Sequence, residues 1–219
     1  LLQWLGLWKI IPVTIVMSAR VSKERRKIIR AFGAKLILTN KNEGTDRAIK
    51  KVAQLVKKHP KKYINLDQYS NNNNWLAHYK TTGPEILKQT NNKITHLVAG
   101  LGTSGTIIGI SKFLKEKNPK IKIIATHQAS KNNIQGLKNM DESIVPKIYD
   151  TTKIDKIIDV TETQANVKTR KLSKQGFFVG ISSGAAMFVA EKIASKNKNA
   201  TIVVIFPDGG EKYLSSKIF

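Results

Sequence analysis

Residues 95–109 read THLVAGLGTSGTIIG, and this stretch decides the fold that the sequence predicts. The apolar run Leu97–Ala99 is typical of a buried strand, the glycine and hydroxyl residues after it of a turn, and the apolar periodicity beyond them of a helix. Glycines at 100, 102 and 105 let the backbone bend and approach a ligand closely, and the helix N-terminus offers free N–H groups and a positive dipole end. The stretch therefore predicts an anion cradle suited to phosphate.

Other interpretations of these glycines remain open. The spacing also fits the dinucleotide pattern G-x-G-x-x-G, which would indicate an NAD-binding oxidoreductase and requires a carboxylate at the end of the next strand. The next predicted strand, 121–125, is followed by Thr126, His127 and Gln128, so that carboxylate is missing. No Walker lysine is present, which argues against a nucleoside triphosphate site. A glycine-rich loop without any ligand is the third interpretation.

Length and composition bound the class of protein. The 219 residues, 41% of them hydrophobic, are enough for one large domain or two small ones with a real core. Cysteine is absent, so disulfides and thiolate metal sites are excluded, and we expect no metal. This composition fits a cytoplasmic protein.

The net charge of +23 raises the alternative of a basic nucleic-acid-binding protein. The cations are 32 lysines and 6 arginines spread along the whole chain, with no helix-turn-helix pattern or aromatic–basic platform among them. We interpret the charge as a solvated surface produced by compositional bias, and we expect no nucleic-acid partner.

The chain opens with LLQWLGLWKIIPVTIVM, in which Leu1, Leu5 and Trp8 have helical spacing. Lys9 and Pro12 interrupt the apolar run, which is too short to span a bilayer and has no basic segment before it. We therefore expect a first helix, no membrane span and no signal peptide, in a chain that begins inside a domain.

Strands alternate with helices along the rest of the chain, which predicts an α/β protein with a three-layer parallel sheet. The predicted strands are 13–17, 35–39, 63–66, 97–99, 121–125, 154–160, 177–180 and 201–206. The predicted helices are 22–33, 45–59, 75–82, 84–90, 107–117, 161–176 and 181–196. Asn72–Asn74 is interpreted as a low-complexity loop. Ligands of such sheets bind at the carboxyl ends of the strands, where several polar turns can converge.

Five stretches, in this order and spacing, resemble the cysteine synthase branch of the fold-type II pyridoxal-phosphate enzymes, relatives of tryptophan synthase β. They are SKERRKIIRAFGAKLILT (22–39), DQYSN (67–71), AHYKTTGPEI (77–86), GLGTSGTIIG (100–109) and GISSGAA (180–186). The resemblance implies a two-lobed fold, with residues 1–66 in a truncated smaller lobe and residues 67–219 in a larger lobe that binds the cofactor. It also implies a homodimer.

The resemblance assigns roles to particular residues. It implies that Ser182 hydrogen-bonds the pyridine nitrogen of pyridoxal 5'-phosphate, although Ser182 and Ser183 could also be plain helix N-cap residues. The residues that resemble the loop around the cofactor phosphate are Gly102, Thr103, Ser104, Gly105 and Thr106.

Other residues resemble the substrate side of the family's site. Gln68 resembles a contact to the substrate carboxylate, with a polar loop residue as the alternative, and Gln135–Gly136 resembles a loop that closes near the substrate. Residues 127–149 and the ending 206–216 are more similar to the B-type enzymes than to the A-type. The implied reaction makes L-cysteine from O-acetylserine or O-phosphoserine and a sulfur donor.

The family's catalytic lysine, and the Gly-Asn-Thr-Gly loop after it, precede the position that matches Leu1. No lysine of this chain matches the catalytic one, so we expect no catalytic residue here. We expect the chain to be a fragment that is inactive alone.

Overall fold

The computed structural model describes residues 11–219, so the first predicted helix lies outside the described residues. The strands are β1 (Thr14–Ser18), β2 (Lys35–Thr39), β3 (His96–Gly100), β4 (Lys122–Gln128), β5 (Lys156–Val160) and β6 (Ile202–Val204). The α-helices are α1 (Lys23–Ala31), α2 (Gly44–Lys58), α3 (Asn73–Lys80), α4 (Thr82–Gln89), α5 (Gly105–Lys117), α6 (Glu162–Lys174) and α7 (Ile181–Ala194). Short 3-10 helices cover Lys41–Glu43, Thr151–Lys153 and Gly210–Tyr213.

The described residues form two compact units, 11–66 with 211–217 and 219, and 67–210 with 218. In the first unit β1 and β2 pair in parallel. Residues 211–217 are fixed within this unit, because Arg25 donates a hydrogen bond of 2.6 Å to the Tyr213 hydroxyl and Ser215 donates to Glu24. The identity of the units with the lobes of a complete enzyme stays a prediction.

The second unit contains a four-stranded sheet of order β5-β4-β3-β6 in which all strands are parallel. Leu97 and Val98 in its centre are fully buried, as are Ile107 and Ile108 of the helix that follows. Burial on both faces explains why β3 reads as a continuous apolar run rather than an alternating one. The predicted parallel α/β architecture is confirmed.

Two predicted strands are wrong. Residues 63–66 form no strand, and Ile64 is 91% exposed there, so the apolar residues of this segment have no sheet face to cover. Residues 177–180 form only one antiparallel bridge, between Val179 and Gly209. Short apolar runs are ambiguous because periodicity alone does not supply a partner strand.

The boundary between the two middle helices also differs from the prediction. The break falls at Thr81, whereas Gly83 lies buried inside α4. The predicted capping box is confirmed, since the Thr161 hydroxyl accepts from the Gln164 N–H and the Gln164 side chain accepts from the Thr161 N–H. None of the helices between residues 11 and 219 is long and apolar enough to cross a membrane.

Candidate phosphate-binding site

A cavity of about 180 Å³ lies at the carboxyl end of β3 in the second unit. It collects six of the residues that the sequence placed in a cofactor or substrate site, namely Gly102, Thr103, Ser104, Thr106, Gly136 and Ser182. The other lining residues are Ala99, Gly100, Leu137, Ile205 and Pro207. Parallel strands open their ligand crevice at this end of the sheet.

Ser104, at the N-terminus of α5, has an unfavourable backbone conformation and is buried. Its φ of 70° puts a non-glycine residue in the left-handed region, and the residue is 3% exposed. The buried hydroxyl oxygen has no hydrogen-bond partner among the described residues. A buried polar atom without a partner costs free energy, which an anion at the N-terminus of α5 would recover by accepting from the hydroxyl. This observation shows that the cradle fits a phosphate group.

The backbone of residues 135–137 closes one side of the cavity. A Cβ at Gly102 would lie 2.9 Å from the Gly136 carbonyl oxygen, so only glycine permits this approach. A Cβ at Gly136, whose φ is 98°, would lie 3.2 Å from Ser182 Oγ. Gly136 therefore lies between the phosphate loop, defined as residues 102–106, and the first turn of α7.

Residues 135–137, called here the closing segment, are held in place by hydrogen bonds from the residues that follow them in the chain. The Lys138 N–H donates to the Leu101 carbonyl at 2.7 Å. The Met140 N–H donates to His127 Nε2 at 2.7 Å, and the other ring nitrogen lies 2.8 Å from Asp159 Oδ1. Because His127 is nearly buried and accepts at Nε2, its proton is on Nδ1 and its role is to hold this segment.

Ser182 enters the cavity from the first turn of α7. The N-cap residue of that helix is Gly180, so the interpretation of Ser182 and Ser183 as N-cap residues is wrong. Gly180 donates its N–H to the Asp208 carbonyl at 2.9 Å, which fixes where α7 begins. Ser182 is only 4% exposed, so it is almost fully buried beside the cavity.

Helix α3 packs closely against α5 because α5 has glycines at the contact, at positions 105 and 109. A Cβ at Gly109 would lie 2.1 Å from the Trp75 carbonyl oxygen and 2.8 Å from His78 Cβ. A Cβ at Gly105 would lie 2.0 Å from Asn74 Oδ1. Two glycines one turn apart on α5 thus admit two polar residues one turn apart on α3.

Asn74 is a site residue that the sequence analysis missed. Its Nδ2 donates to Thr103 Oγ1 at 3.1 Å and to the Gln68 carbonyl oxygen at 2.6 Å. The low-complexity interpretation of Asn72–Asn74 is therefore wrong. The neighbouring asparagines also make defined hydrogen bonds. Asn72 accepts from the Trp75 indole N–H, and Asn71 accepts from the Asn73 N–H.

His78 was also missed as a candidate. Its Nε2 lies 3.1 Å from Thr106 Oγ1 and its Nδ1 lies 2.9 Å from Thr82 Oγ1. Burial lowers the pKa of His78 below the usual value of 6.5, so the ring is neutral at pH 7. The signal that could have found both residues is the i, i+4 spacing of Asn74 and His78, which matches that of the two glycines on α5.

Three predicted site residues do not line the cavity. Gly105 is buried against Asn74, and a side chain there would point at Asn74 rather than into the cradle. Gln68 is exposed, and only its carbonyl is connected to the phosphate loop, through Asn74. Gln135 is half-buried next to Gly136. Their roles in binding stay predictions.

A phosphate-binding loop at the carboxyl end of a parallel sheet is typical of proteins that bind a phosphorylated cofactor. Residues 6–208 match the family described as "Pyridoxal-phosphate dependent enzyme". The chain belongs to this family, whose cofactor is pyridoxal phosphate.

Its relatives narrow the class further. The chain is 49% identical over 215 residues to a cysteine synthase of Aquifex aeolicus, covering 95% of this chain and 66% of the relative. It is 36% identical over 206 residues to cysteine synthase B of Pseudomonas aeruginosa, covering 94% and 68%. The solved O-acetyl serine sulfhydrylase isoform 3 of Entamoeba histolytica matches with a TM-score of 0.87 and 35% identity, covering 100% and 68%. The chain spans about two thirds of the length of these relatives, and the predicted resemblance to cysteine synthases is confirmed.

Proposed function

We propose that this protein is a pyridoxal-phosphate-dependent enzyme that makes L-cysteine by β-replacement on O-acetylserine or O-phosphoserine. The observation that carries the proposal is the cavity between residues 102–106 and Ser182. Beside it lies the buried Ser104 hydroxyl, which has no partner within residues 11–219. The named activities of the relatives support the proposal.

In this proposal the phosphate loop holds the cofactor phosphate by hydroxyl groups and by the N–H groups of the first turn of α5. Ser182 accepts or donates a single hydrogen bond at the pyridine nitrogen without bringing a charge. When bound, pyridoxal phosphate supplies the electron sink that allows the α-proton of the amino acid to leave. A neutral partner at the nitrogen moderates that sink, which suits β-replacement.

The substrate side of the site is assigned to residues around the closing segment. Gly136 and Leu137 line the cavity together with Ser182. In this proposal Gln68 contacts the substrate carboxylate, and Gln135 and Gly136 belong to the loop that closes near the substrate. The reaction breaks the Cβ–O bond of the activated serine, releases acetate or phosphate with the electron pair, and forms the Cβ–S bond to the sulfur donor.

Thr106→Val tests the phosphate assignment, because it keeps the shape of the side chain and removes the hydroxyl. We expect the affinity for pyridoxal phosphate to fall about tenfold to a hundredfold, since one hydrogen bond to a charged group is lost and its partner is left unsatisfied. Equilibrium dialysis measures this, with Thr106→Ser as the matched control that keeps the hydroxyl. Binding of NAD that excludes pyridoxal phosphate would instead support the dinucleotide interpretation.

The proposed activity is tested by assaying the protein expressed from its complete reading frame. We expect it to make cysteine from O-acetylserine and sulfide, and failure to do so would contradict the proposed function.

A second test concerns the catalytic lysine. No lysine lines the cavity within residues 11–219. We propose that the 219 residues by themselves bind the cofactor through its phosphate but do not turn over, because the base that moves the α-proton is missing. Cysteine formation from O-acetylserine and sulfide by the 219-residue polypeptide, above the rate without protein, would contradict this.

The finer assignments to a cytoplasmic homodimer also stay proposals. They rest on the likeness to cysteine synthases and on the absence of cysteine from the chain.

A further inference from the structure

The feature that carries a further inference is the face of α3 that contacts the phosphate loop. Asn74 and His78 lie one helical turn apart, and each bonds the hydroxyl of a cavity-lining threonine, Thr103 and Thr106. A threonine hydroxyl can donate one hydrogen bond and accept others, so its neighbours decide which it offers to a ligand. Phosphate oxygens of a dianion only accept, so the direction of each hydroxyl hydrogen decides whether it attracts or repels the ligand.

At Thr103 the direction follows from the bonds of Asn74 alone. The Gln68 carbonyl oxygen can only accept, so the atom that faces it must be the Asn74 amide nitrogen. The second hydrogen of that nitrogen points at Thr103 Oγ1, which therefore accepts. The Thr103 hydroxyl hydrogen is then free to turn toward the cavity that Thr103 lines.

At Thr106 the direction depends on the tautomer of His78. Both of its ring nitrogens face hydroxyl groups, Thr106 at Nε2 and Thr82 at Nδ1, and either could donate or accept. With the proton on Nε2 the imidazole donates to Thr106, whose own hydrogen then points away from the ring. Burial favours the neutral ring that this arrangement needs.

We propose that Asn74 and His78 are positioning residues that fix the hydroxyls of Thr103 and Thr106 as hydrogen-bond donors toward a bound phosphate dianion. The inference rests on the proposed function of the cavity, and it adds two residues that touch neither ligand nor cavity. It also assigns a tautomer: His78 carries its proton on Nε2 when phosphate is bound. Neither residue takes part in a chemical step.

Asn74→Asp is the sharpest variant, because it keeps the shape and replaces the donor with an acceptor. The new carboxylate would force Thr103 to donate to it and to present a lone pair to the cavity. We expect the affinity for pyridoxal phosphate, measured by equilibrium dialysis, to fall about tenfold to a hundredfold. Asn72→Asp is the matched control for the added charge, since the Trp75 indole can still donate to a carboxylate there, and it should change the affinity by less than about threefold.

A double-mutant cycle with Thr103→Val separates hydroxyl direction from charge. Without the hydroxyl, exchanging Asn74 for aspartate should cost several times less affinity than it does when Thr103 is present. An equal cost in both backgrounds overturns the inference and leaves the proposed function standing. Failure of the unaltered protein to bind pyridoxal phosphate overturns the proposed function instead.

The tautomer is measured without any change at the loop, so the inference stays testable even if Asn74→Asp does not fold. Long-range nitrogen–proton correlation spectra of the uniformly ¹⁵N-labelled protein with inorganic phosphate distinguish Nε2–H from Nδ1–H in each of the four histidines. The spectrum of His78→Gln identifies the His78 signals by their loss. A proton on Nδ1 of His78 in the phosphate-bound protein overturns the assignment at Thr106.

Discussion

Gly109→Ala is expected to lower both the stability of the protein and its affinity for pyridoxal phosphate, although Gly109 does not line the cavity. The new Cβ would lie 2.1 Å from the Trp75 carbonyl oxygen, a backbone atom that cannot rotate away. Alanine normally favours a helix over glycine by up to about 1 kcal/mol, but overpacking of this kind costs about 1–3 kcal/mol. Pushing α3 off α5 also moves Asn74 and His78 away from the loop, so we expect at least about a tenfold loss of affinity.

Urea denaturation and equilibrium dialysis measure the two effects. Gly176→Ala is the control, because it meets no atom within 4 Å but has a φ of 88°. It should cost about 1 kcal/mol of stability through backbone strain and leave cofactor affinity unchanged. If Gly109→Ala is as stable as the parent and binds as well, the close packing of the two helices does not support the site.

The second large effect is expected at the centre of β3. Leu97→Ala removes a fully buried side chain from the four-stranded sheet and should cost about 2–5 kcal/mol in the free energy of unfolding. The reason is the lost burial together with the cavity left behind. Val167→Ala is the control, because Val167 is 55% exposed on α6 and its truncation should change stability by less than about 0.5 kcal/mol. Equal losses for the two variants, measured by urea denaturation, would contradict the assignment of the core.

The core elements of the fold could be predicted because their signals are local. β3 and α5 are marked by a buried apolar run, glycines and a resumed periodicity within residues 95–109, and the capping box at Thr161 lies within four residues. The false strand at 63–66 has the same local appearance as a true one. Only the missing partner strand, which is a property of the whole fold, distinguishes them.

The candidate site also contains some residues that local sequence signals predict and others that only the fold reveals. The phosphate loop follows from a glycine-rich motif and Ser182 from the family resemblance, and the structure brings Ser182 and four of the five loop residues to one cavity. Asn74 is harder to find, because it stands among four consecutive asparagines and only its i, i+4 spacing from His78 distinguishes it before it is seen to donate to Thr103. The packing of Gly105 against Asn74 could not be found, since sequence does not tell which way a missing side chain would point.

The close packing of α3 on α5 changes what has to be transplanted if this anion site is to be built into another protein. The loop at 102–106 is five residues long, yet its hydroxyl groups are held from a helix that begins about thirty residues earlier. A grafted loop alone would carry threonines that rotate freely and a serine strained without a ligand. The smallest portable unit is the continuous segment from α3 to α5, which includes α4 and β3. Its signature is Asn-x3-His followed, 28 residues after the histidine, by the Thr of Thr-x2-Gly.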